Sequence, residues 1–96
     1  MKSEFVDYVK WTIAPEMDKI NKAYESGDID NVKSIASVLS ESVRKHHSDL
    51  LEKKHCIIPQ RMVSLYFFIT FLDDIDNDNG RKAIDDVYSL IKDIIE

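Results

Sequence analysis

The chain has 96 residues and fits one domain spanning 1–96. Its hydrophobic fraction of 44% excludes a disordered tail, and only two glycines and two prolines leave little turn chemistry for a sheet. The net charge of −5 opposes general attraction to nucleic acid, though a local basic patch stays open.

The first segment carries apolar residues at Phe5, Val9, Ile13, Met17, Ile20 and Tyr24. Steps of four, four, four, three and four are helical spacing. Pro15 interrupts the stripe without breaking its register. Proline removes a backbone hydrogen bond and clashes with the carbonyl four residues earlier. The expectation is one long helix kinked at Pro15, or two nearly collinear helices broken at Thr12 to Ala14. Trp11 lies off the stripe, as a second buried edge or an exposed anchor.

Ser26-Gly27-Asp28 marks the first boundary. Gly27 suits the left-handed residue after a helix end, and Asp28 or Asp30 suits the next cap. A second helix is expected from about Ile29 to Lys54, with its stripe at Val32, Ile35, Ala36, Leu39, Val43, His46 or His47, and Leu50. Two long helices joined by a tight turn make a helical hairpin.

His55 to Ile58 leads to the densest aromatic cluster, with no formal charge from Met62 to Leu72. The run exceeds a buried strand of about 4–8 residues and falls short of a membrane span of roughly 20. Pro59 suits a first helical turn. The spacing predicts a third helix from about Pro59 to Ile75, apolar on all sides and so buried all round, either as the central helix of the domain, with Phe68 in the core, or as an oligomer seam. The turn Asp76 to Gly80 precedes a last helix, about Arg81 to Ile95, with its stripe at Ile84, Val87, Tyr88, Ile91, Ile94 and Ile95. The expected fold class is all-α: an antiparallel bundle of about four helices with unequal arms.

Chemical motifs are weak. Counting an EF-hand from Asp74 places Asn79 where glycine is needed, Arg81 at the apolar position and Asp85 at the bidentate one. The segment reads instead as a capped interhelical turn. His46, His47, Glu52, His55 and Cys56 are metal-ligand types without a helical ligand spacing. Adjacent histidines raise phosphotransfer on residue type alone. Cys56 has no recognisable catalytic partner, and as the only cysteine it permits no internal disulfide. No cofactor, metal or catalytic residue is expected, and the chain reads as a non-enzyme. The start Met1-Lys2-Ser3-Glu4 lacks a signal peptide's apolar core, and with the lone cysteine this points to a cytoplasmic setting.

Charge is unevenly spread. Residues 44–72 hold five basic and two acidic residues, whereas residues 73–96 hold three basic and eight acidic. The basic set Arg44, Lys45, His47, Lys53, Lys54 and Arg61 is the candidate partner-binding face. Part of it is ordinary compensation of a helix C-terminus. The aromatic residues Trp11, Tyr66, Phe67 and Phe71 are the candidate self-association surface of a homodimer, in which the basic end of the second helix meets the acidic Asp73 to Asp86 region of the other subunit. The functional expectation is a small acidic protein-interaction module: an adaptor, inhibitor, antitoxin or immunity-type factor. The alternative is a nucleic-acid-associated regulator using the basic end of the second helix.

Overall fold

The computed structural model describes residues 4–52, 60–76 and 78–96. Among them 89% are helical, in four helical arms with no strand. The all-α bundle expected from the sequence is the observed fold.

The first arm is a continuous rod: α1 (Glu4–Tyr8), a π turn (Val9–Ile13) and α2 (Ala14–Glu25). The backbone is not broken at Thr12 to Ala14, because Ile13 (φ −74°, ψ −49°) and Ala14 (φ −60°, ψ −45°) stay helical. The hydrogen-bond register changes instead. The Ala14 N–H reaches the carbonyl of Val9, five residues back. The apolar spacing explains this. On an α-helix each step of four overshoots a full turn by about 40°. Three such steps would carry Met17 about 120° away from Phe5. A wider turn resets the phase, and Phe5, Val9, Ile13 and Met17 are all buried. Pro15 follows in the first turn of α2, just after the widening.

Gly27, at φ +80°, ends the rod as expected. Its N–H bonds to the Tyr24 carbonyl (3.0 Å), and the Asp28 N–H bonds to Ala23 (2.9 Å), closing the last orphan carbonyls. Asp28 then caps α3 (Ile29–Glu52) by accepting the Asn31 N–H at 3.2 Å. The other two arms are α4 (Gln60–Thr70), which continues into a 3₁₀ turn (Leu72–Asp74), and α5 (Gly80–Ile95). Helix α4 and its 3₁₀ extension pack on α3, and α5 closes the bundle against both α4 and α2.

The core runs the length of the bundle through Ile13, Met17, Ile20, Val32, Leu39, Val43, Met62, Leu65, Ile69, Leu72, Ile84 and Val87. Full burial of each large side chain contributes about 1.5–3 kcal/mol. Arg81 ties the end of the first arm to the start of the last. Its guanidinium donates to Asn21 Oδ1 (2.6 Å), pairs with Asp85 (2.9 Å) and lies over the Tyr24 ring (5.6 Å).

The third helix departs from expectation. Its α-helical part ends at Thr70, and Ile75 is extended (ψ 153°). It is not buried all round. Met62, Leu65, Tyr66 and Ile69 face inward, while Val63, Phe67, Phe68 and Phe71 face out. The placement of Phe68 in the core is therefore corrected. At 11 residues, α4 has α3 on one flank and α5 on the other, and none of the described residues covers the face that carries Phe67 and Phe71.

Candidate functional site

The exposed face of α4 is an aromatic ridge. Phe67 is 60% exposed and Phe71 50%. Their rings meet edge to face with centroids 4.8 Å apart, and Phe68 stands edge-on to Phe67 at 6.3 Å. These side chains hold one another in place, so the ridge is preformed. Its exposed apolar area is about 350 Å², in the range of the largest patch on a typical monomer, which is often functional.

A shallow groove runs along each side. One, of about 200 Å³, lies between α3 and α4 and is lined by Val43, Arg44, His47, Val63, Tyr66, Phe67 and Thr70. The other, of about 290 Å³, lies towards α5 and is lined by Phe68, Phe71, Asp74, Ile75, Asn79, Lys82, Ala83 and Asp86. The flanks differ in charge. The α3 side presents Arg44. The α5 side presents Asp74 and Asp86, with the Lys82 ammonium 3.4 Å from Asp86. Among the described residues neither the Arg44 guanidinium nor the Asp74 carboxylate has an ion-pair partner.

Beneath the first groove lies an ordered cluster. The Tyr66 hydroxyl shares a hydrogen bond with His46 Nδ1. The Tyr8 ring stacks on His46 at 4.0 Å, and its hydroxyl bonds to Ser42 Oγ at 2.7 Å. Phe5, Tyr8, His46 and His47 all meet the Tyr66 ring edge-on. Burial, with the Tyr8 phenol adding to it, pushes the Tyr66 hydroxyl well above the usual tyrosine range. The cluster fixes the end of α1 to α3 and α4.

The residues singled out from sequence therefore separate. Phe67 and Phe71 lie on the ridge. Tyr66 does not: it is 5% exposed and belongs to the interior cluster, a correction that follows from its place on the Met62–Leu65–Ile69 side of α4. Trp11 is 71% exposed on the π turn, with the Lys10 ammonium 5.3 Å from its ring centroid. Arg44 and Lys45 are exposed, and His47 is half-buried in the groove wall. Arg61 donates to the Asp93 carbonyl of α5 at 3.3 Å. Lys53 and Lys54 lie outside the described residues, as do His55, Cys56 and Pro59. Val63 and Phe68 join the ridge although sequence reasoning assigned neither to it. Separating Met62-Leu65-Tyr66-Ile69-Leu72 from Val63-Phe67-Phe71 by helical phase would have found Val63.

The acidic turn is held by its own side chains. Asp76 Oδ1 accepts the N–H groups of Asp78 (2.9 Å) and Asn79 (3.0 Å), and Asn79 Oδ1 accepts the Asp76 N–H (2.9 Å). Among the described residues no group of three or more His, Cys, Asp or Glu is placed to hold a metal ion. No helix in the described residues is long and apolar enough to cross a membrane. Comparison with protein-family models, curated proteins and solved structures gives no match.

Proposed function

We propose that this protein is a non-enzymatic interaction module of the adaptor, inhibitor, antitoxin or immunity type, working in the cytoplasm and binding protein through the exposed face of α4. The single observation that carries this reading is the preformed ridge of Phe67, Phe68 and Phe71 between two grooves. Large aromatic side chains are enriched at protein interfaces, and their rigid rings lose little entropy on binding. Leaving three on one short helix face opposes stability and promotes aggregation unless a partner covers them.

The basic residues Arg44, Lys45 and Arg61 support the alternative of a nucleic-acid-associated regulator less well. The groove beside Arg44 is apolar, and Arg61 is engaged with α5. The test is isolation of the native protein with whatever binds it stoichiometrically, repeated with Phe67→Asp. A protein partner lost in the variant supports the ridge. Retention on a nucleic-acid column that falls steeply with salt, and is abolished by Arg44→Glu but not by Phe67→Asp, supports the alternative instead.

A further inference from the structure

We infer that the ridge is covered by a second copy of this chain, with the two α4 helices side by side and parallel about a two-fold axis running along them. This rests on the ridge being an interaction surface and adds its occupant and geometry.

A two-fold interface is isologous, so the same surface must complement itself. Apolar ridges do so in either direction. The flanks do not. With the face of α4 turned towards its partner, a two-fold axis parallel to α4 exchanges left and right. The Arg44 flank of one copy then lies over the Asp74 and Asp86 flank of the other, twice. An axis lying across α4 instead places Arg44 over Arg44 and Asp74 over Asp74. Like charges across an interface are strongly disfavoured, and opposite ones fix register. Arg44 and Asp74, neither with an ion-pair partner among the described residues, are the two charges this arrangement joins. A partner of a single sign would satisfy only one flank.

The area is modest. Two ridges bury about 700 Å² together, and the flanking grooves raise this to about 1,200 Å², the lower end for specific complexes. An interface of this size suits a reversible dimer, whose strength is set by how well the aromatic rings pack rather than by area.

The experiment is sedimentation equilibrium over the micromolar range, combined with disulfide trapping in a Cys56→Ser background. The inference expects a reversible dimer. Phe67→Asp should weaken it about a hundredfold with unchanged helical circular dichroism. Arg44→Glu should weaken it about tenfold, and adding Asp74→Lys to the same chain should restore it. Phe71→Cys should oxidise to a covalent homodimer, whereas Val63→Cys mixed with Phe71→Cys should give little cross-pairing. Preferential Val63–Phe71 trapping, or a monomer at every concentration, overturns the parallel pair while leaving the ridge as a surface for another protein. A dimer indifferent to Phe67→Asp overturns the ridge itself.

Discussion

Gly80 opens α5 against the ring of Tyr24, and a single methyl group there tests how closely the first and last arms meet. A Cβ built on Gly80 overlaps Cε1 of Tyr24 and lies 3.0 Å from both Cδ1 and Cζ. Alanine favours a helix over glycine by up to about 1 kcal/mol, and by less in a first turn. Against this, overpacking a close contact costs about 1–3 kcal/mol. The ring can escape only by leaving α5, which also removes it from under the Arg81 guanidinium. Gly80→Ala should therefore destabilise by about 1–2 kcal/mol, lowering Tm by roughly 5–15 °C for a domain of this size. Thermal and urea unfolding followed by circular dichroism measure it. Removing the ring supplies the control: in a Tyr24→Ala background the same substitution should be neutral or stabilising, giving a coupling energy of about 1 kcal/mol or more. Gly80→Ala at wild-type stability or above, with no coupling to Tyr24, would refute the packing between α2 and α5 described above.

Two further outcomes are expected. Neighbours on α4 should differ sharply in urea unfolding: Ile69→Ala, fully buried, should cost about 2–5 kcal/mol, whereas Phe68→Ala, 40% exposed, should cost about 1–2 kcal/mol. The reverse order would place Phe68 in the core after all. Stability should also fall in alkali. Folding raises the hydroxyl pKa of Tyr66 above its unfolded value near 10, so its contribution is fully present below pH 10 and is lost as pH rises beyond it, by up to about 1.4 kcal/mol per pH unit. Tyr88 acts in the same direction through burial and its hydrogen bond to Asp18 (2.7 Å), and the slope in Tyr66→Phe should be shallower than in wild type.

The first two arms were legible because each buries one stripe and exposes the rest. Met17, Ile20, Val32, Leu39 and Val43 are core residues for the reason their spacing implies. Gly27 and Asp28 were equally readable, since left-handed backbone and side-chain capping are local properties. Helix α4 was not, because apolar composition says what a side chain prefers rather than whether the fold has room for it. Among the described residues α3 and α5 flank α4 and α1 meets it at Tyr66, so one side of Phe67, Phe68 and Phe71 is left over. The bond from His46 to Tyr66 joins residues 20 apart on different helices, which no local pattern encodes. Of the proposed interaction face, Phe67, Phe71 and Arg44 were identifiable as residue types. Their arrangement, with opposite charges on either side of one ridge, exists only once α3, α4 and α5 are packed.

The π turn lets the rod carry one residue that an ordinary helix would have no place for. Phe5 and Met17 share the buried stripe across twelve residue steps, about three turns of this rod. Eleven steps of ordinary α-helix, at about 100° each, also come to about three turns. Deleting one residue between Val9 and Ile13 should therefore restore ordinary backbone bonding there while leaving Phe5 at the edge of Tyr66 and Tyr8 on the face of His46. The same deletion in the middle of α3 has no widened turn to absorb it and would rotate one half of the buried stripe by about 100° against the other. Chains descended from a common ancestor with this one should tolerate the loss of a single residue between Tyr8 and Ala14 but not within α3.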